Sequence, residues 1–198
     1  MSRNPELSRD DLDADGQQLY DEILAARGSI AGPFRVWLHS PEFTRRATQL
    51  GEFLRYHTSL SPRLSELVIL ITARQQQCPA EWAIHESLAH KAGLASEIIE
   101  ALASDRRPTF TEPAEEALYD FCTQLHQTHT SSAAALQHLL ETLGTAAAVE
   151  VTGLCGYYTM VAMTLNAFAI SADPPAPGAQ DQTATASRRL NPRTPATD

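Results

Sequence analysis

From Leu64 to Ile71 the apolar residues Leu64, Leu67, Val68 and Ile71 recur at i, i+3, i+4 and i+7, and Ile69 and Leu70 widen that stripe. The segment therefore reads as a helix buried on most of its sides. Glu66 falls inside this apolar run. A second helix is predicted to start near Pro79, since proline is tolerated in a first turn, and to run to Gly93, a C-terminal stop. Within it Glu81 and His85 stand four residues apart and Cys78 three before Glu81, which sets all three on one helical face.

The same periodicity and punctuation predict helices near 15–27, 41–57, 61–75, 79–92, 95–103, 112–127, 131–143 and 145–170, with no convincing alternating strand. The fold class is all-α. Pro41 and Pro62, each following a serine, mark helix entries; Gly28 and Gly93 mark stops, and Gly32-Pro33 marks the turn between the first two helices. No internal repeat is evident. From Asp173 onward the chain is rich in Pro, Ala, Thr and Gln without a periodic apolar face, so residues 173–198 are expected to be a disordered tail and residues 1–172 one helical domain.

Composition narrows the function classes. The 198 residues suffice for one sizeable core, and 43% hydrophobic with 20% charged residues fits a soluble globular protein. A formal charge of −9 argues against nucleic acid as partner, because phosphate backbones are bound by clustered Lys and Arg. Three arginines balance three aspartates in the tail, so the negative charge belongs to the folded part. The charged start MSRNPELSRDDLDADG reads neither as a signal peptide nor as a membrane span, and a cytoplasmic location is expected. Three cysteines, Cys78, Cys122 and Cys155, lack a C-x2-C pair or zinc-type spacing and read as free thiols, the last two as packing residues. No residue pattern calls for a cofactor or a metal; His39, His57, His90, His126, His129 and His138 have no second ligand at suitable spacing.

His85 is a candidate general acid or base, or else a core histidine satisfied by a buried acid. Glu66 is a candidate to orient it and stabilise its cation, or to be a proton donor itself, the structural alternative being an ion pair with Arg63 or Arg74. Glu81 is either a second acid or base or an exposed helix-start glutamate. Phe34, Trp37, Trp82, Tyr157 and Tyr158 are candidates to line an apolar substrate pocket, and Asn166 to orient a substrate carbonyl or tie down helix ends. Cys78, near a helix N-terminus, is a possible redox thiol.

Three stretches resemble the carboxymuconolactone decarboxylase and alkylhydroperoxidase D-like superfamily. These are LSPRLSELVIL (Leu60 to Leu70), EWAIHE (Glu81 to Glu86) and the A-x2-A-G-L ending at Leu94. Ser29 to Phe43 is similar to the G-P-F loop and following helix of larger members, and Cys155 to Phe168 to their last helix. The peroxidase branch carries Glu-x11-Cys-x2-Cys-x3-His; Glu66, Cys78 and His85 keep that register, but Glu81 stands where the second cysteine would be. Disulfide cycling there needs an attacking and a resolving thiol, so the E-W-x2-H form looks like the decarboxylase-like branch. Ala80 replaces the aromatic residue that often precedes this glutamate.

The resemblance implies an alkylhydroperoxidase D-like bundle in which Glu81 faces a cavity. It implies proton-transfer chemistry, decarboxylation or isomerisation, on a small carboxylated or lactone-like compound. His85 would shuttle the proton, Glu66 orient it, Glu81 act as second acid or base, and Arg63 neutralise a substrate carboxylate. The alternatives are a thiol peroxidase using Cys78 and a non-catalytic small-molecule-binding protein of the same fold. Helices 62–74 and 146–170 are apolar over more of their circumference than one neighbouring layer covers, so they are expected to pack against other subunits. The resemblance implies trimers or their multiples, or dimers.

Overall fold

The computed structural model describes residues 7–171; the expected tail lies outside them. After a short 3-10 turn at Arg9–Asp11 come α1 (Ala14–Arg27), the single turn α2 (Phe34–Trp37), α3 (Pro41–Tyr56), α4 (Pro62–Gln75), α5 (Pro79–Lys91), α6 (Ser96–Ala103), α7 (Pro113–Thr128) and α8 (Ala133–Phe168). Proline opens α3, α4, α5 and α7, where its missing N–H leaves no helical bond unmade. Side-chain caps close the first turns of α1, α4 and α8, through Asp13, Ser61 and Ser132. Among the described residues there is no strand, as the apolar spacing predicts.

The two expected helices 131–143 and 145–170 are the two arms of α8. They meet at Gly144, whose φ of 83° and ψ of 169° interrupt the helical conformation. That combination is open to glycine and strained for any other residue. The α8 window is long and apolar enough to cross a membrane by length and composition, but half of it is buried within the fold, in the manner of a core helix.

α4 is the central element, packed against α5, α7 and α8 and more lightly against α6. Every residue from Leu64 to Arg74 is buried. This corrects one expectation: the all-round apolar surface of α4 is covered by helices of its own chain and leaves nothing for another subunit. The apolar side chains that do remain at the surface lie on other helices, notably Leu50, Phe53 and Tyr56 of α3 and Val149 and Met163 of α8.

Candidate active site

α4 and α5 pack closely, and their contact brings Glu66 against His85. The imidazole Nδ1 lies 2.6 Å from Glu66 Oε2, and on the opposite edge Nε2 lies 3.1 Å from Glu81 Oε1. His85 is thus bracketed by two carboxyl groups, one from a neighbouring helix and one from a single turn earlier on its own. All three side chains are buried, His85 to 2% residual exposure. Burial by itself would discharge the imidazole, but the hydrogen bonds and charges of Glu66 and Glu81 override it and raise the His85 pKa above its ordinary value. The ring of Tyr158 meets the imidazole edge to face, with centroids 5.1 Å apart, and blocks its rotation.

His85 and Glu81 form one wall of a cavity of about 200 Å³. The remaining lining comes from Arg27 at the end of α1, the Gly32-Pro33-Phe34 turn, Gly51 and Arg55 of α3, and Tyr157, Tyr158 and Val161 of α8. An apolar cavity of about 150 Å³ accommodates benzene, so this one is sized for a single-ring or similarly small compound. Arg55 Nη2 stands 3.7 Å from Glu66 Oε1, and the Arg27 guanidinium lies over the Phe34 ring at 4.7 Å. Burial pushes the Tyr157 hydroxyl up to about 12 and that of Tyr158 well above its ordinary value, so both remain protonated. Two cations, protonated hydroxyls, the His85 imidazole and the Glu81 carboxyl therefore face a space otherwise lined mostly by apolar groups. A second recess, beside Arg74, Asp105 and Tyr119, holds only about 10 Å³, room for one water.

Of the residues singled out from the sequence, Phe34, Glu81, His85, Tyr157 and Tyr158 line the cavity, with Glu66 one hydrogen bond behind. Arg63, Trp37, Trp82 and Asn166 do not. Arg63 turns towards α7, where its Nε is 3.4 Å from the buried Glu115. Trp82 points into the core at 1% exposure. Asn166 donates from Nδ2 to the Gln76 carbonyl at 3.0 Å and ties the end of α8 to the end of α4.

Glu66 pairs with Arg55 and not with Arg63 or Arg74; Arg74 instead pairs with Asp105 at 3.4 Å. Arg27 and Arg55 escaped the sequence reading. Each sits in the last turn of a helix, where a basic residue is ordinary, and no local signal directs either one to α5.

Cys78 has no solvent exposure, and burial pushes its thiol up to about 11. It is absent from the cavity lining, and no second thiol adjoins it. The helix-start position that favours a thiolate is outweighed by desolvation. Among the described residues no cluster of His, Cys, Asp and Glu has the makings of a metal site.

Residues 41–124 match the carboxymuconolactone decarboxylase family. No curated protein is a significant sequence match. The fold is similar to that of an uncharacterised peroxidase-related protein with an alkylhydroperoxidase AhpD core from Ralstonia eutropha JMP134, at a TM-score of 0.72 and 17% identity over 87% of this chain and 92% of that one. A peroxidase-related protein from Silicibacter sp. TM1040 gives 0.72 and 14% over 87% and 94%. A variant of the debrominase Bmp8 in complex with 2,3,4-tribromopyrrole gives 0.68 and 13% over 87% and 94%. At these identities the solved structures show the fold, an alkylhydroperoxidase D-like helical bundle, while α4 and α5, which carry Glu66, Glu81 and His85, fall inside the segment that matches the carboxymuconolactone decarboxylase family.

Proposed function

We propose that this protein is an enzyme of the decarboxylase-like type, transferring a proton to or from carbon in a small carboxylated or lactone-like compound. The observation that carries this reading is the buried imidazole of His85 held between Glu66 and Glu81 at the wall of a cavity that also presents Arg27 and Arg55. A group of this kind suits a reaction in which the electrons of a C–C bond that breaks with loss of carbon dioxide, or of a C–H bond whose proton passes to the Glu81 carboxylate, move into a conjugated carbonyl. The resulting dienolate oxygen is met by an arginine or a tyrosine hydroxyl, and carbon is then protonated from the Nε2 edge shared with Glu81. Glu66 stays on Nδ1 throughout, orienting the ring and stabilising its cation. Arg27 and Arg55 take the role first expected of Arg63, neutralising a substrate carboxylate.

A peroxidase centred on Cys78 is disfavoured by that thiol's burial and by Glu81 at the second cysteine position. The small planar ring held by the debrominase relative is compatible in size with the cavity described above. Purified protein incubated with a panel of lactone carboxylic and β-keto acids in D2O tests the reading. Carbon dioxide release, or deuterium incorporated at carbon without it, is the expected result, lost by ~10²–10⁴-fold in His85→Gln. Ligand binding without any chemical change would instead favour the non-catalytic reading.

A further inference from the structure

A second reactive cluster is assembled from α4, α7 and α8. Cys122 of α7 and Cys155 of α8 are separated by 33 positions in sequence, yet their Sγ atoms lie 3.5 Å apart in the core. Thr72 of α4 donates its hydroxyl proton to the Val68 carbonyl at 2.9 Å, which leaves its oxygen to accept from His126 Nε2 at 3.0 Å. His126 is partly exposed and lies close enough to Cys155 for its ring to favour the thiolate there. The arrangement is a buried thiol pair with an imidazole beside one member.

We propose that Cys155, Cys122 and His126 form a dithiol redox site that reduces hydrogen peroxide and becomes an intrachain disulfide between α7 and α8. The proposal is independent of the chemistry assigned to His85. Cys155 is the attacking sulfur. With Cys155 as the thiolate, the Cys122 thiol donates across the 3.5 Å contact and, with His126 nearby, lowers the Cys155 pKa, whereas the same bond and burial hold Cys122 protonated. The Cys155 proton passes to His126. The thiolate attacks one peroxide oxygen, the O–O bond breaks, and the departing hydroxide takes the proton from His126 and leaves as water.

The resulting Cys155 sulfenic acid is then attacked by Cys122 sulfur. An S–S bond forms, the S–O bond breaks, and the hydroxide leaves with the Cys122 proton as a second water. Two thiols lose two electrons and one peroxide gains them. The sulfurs need approach only from van der Waals contact to the ~2.05 Å of a disulfide, and burial of both restricts the oxidant to one of hydrogen peroxide's size.

The test uses the reduced full chain with equimolar hydrogen peroxide, followed by N-ethylmaleimide under denaturing conditions and intact-mass measurement. The expected product carries one maleimide, on Cys78, in place of three, and non-reduced peptides link Cys122 to Cys155. It forms faster than free cysteine is oxidised in the same buffer. Cys122→Ser should stop at a sulfenic acid trapped by dimedone at Cys155, and His126→Gln should slow oxidation by ~10-fold or more. Three maleimides per chain after peroxide, oxidation slower than that of free cysteine, or a link through Cys78 or between chains would overturn the proposal, and the wild-type measurements need no variant to fold.

Discussion

Gly51 of α3 lies directly beneath the hydroxyl of Tyr157 on α8, so close that a Cβ at this position would overlap the phenol oxygen and its ring carbon. The absence of a side chain there lets Tyr157 lie flat against α3 and form part of the cavity wall. Tyr157 is in turn held edge to face by Trp37 at 6.4 Å and Tyr158 at 5.5 Å, so it has nowhere to retreat within its layer. Gly51→Ala should cost ~1–3 kcal/mol of stability by overpacking. It should also change the affinity for any cavity ligand, read by denaturant unfolding alongside ligand titration. Unchanged stability would show that the tyrosine swings away freely.

The raised pKa of His85 has a defined sign for stability. The unfolded imidazole titrates near 6.5 and the folded one higher, so the stabilisation is fully present below about 6.5 and fades as pH rises through the folded value. Unfolding free energy should therefore fall between near-neutral and alkaline pH, a slope that Glu66→Gln flattens by removing the anion on Nδ1. Removing one member of this buried pair should itself cost ~3–5 kcal/mol. Direct titration of the His85 ring by NMR gives the folded pKa, and a value below 6.5 would contradict the bracketed geometry.

Arg27 and Arg55 separate binding from proton transfer. Arg27→Met leaves the His85 group untouched and should raise KM for a carboxylated substrate by ~10–100-fold, the equivalent of a charge-assisted hydrogen bond of ~1.5–3 kcal/mol, with kcat nearly preserved. Arg55→Met also strips Glu66 of its cation at 3.7 Å and should lower kcat as well. Arg63→Met should alter neither constant and should register only in stability, since its partner is Glu115. Steady-state kinetics of the three variants with one substrate decide this.

Cys78 should be chemically quiet. With its thiol near 11, the thiolate fraction at pH 8 is on the order of one in a thousand, and the sulfur is shielded besides. Alkylation of the native protein by iodoacetamide should leave Cys78 unmodified over hours, and Cys78→Ala should retain turnover while losing ~1 kcal/mol or more to the small cavity it leaves. Rapid modification of Cys78 would revive the peroxidase reading.

The helices were legible in the sequence because their determinants are local. The i, i+3, i+4 spacing that marks α4 and the proline and glycine punctuation act over a few residues, and the Glu81–His85 pair is fixed by a single helical turn. The register of Glu66 against His85 was legible only through resemblance to a family, since no rule within one helix says which face of α4 meets α5.

Everything that depends on packing between helices was decided by the tertiary structure. Arg63 was drawn to Glu115 and not to the cavity, and Arg55, 11 positions before Glu66, reached it instead. The apolar circumference of α4 was covered by its own chain. Cys122 and Cys155, read separately as packing residues, became neighbours. The physical reason is the same in each case: a side chain's partner is set by which helix faces cross and at what height, a sum of many weak contacts across the whole core that no short stretch of residues contains.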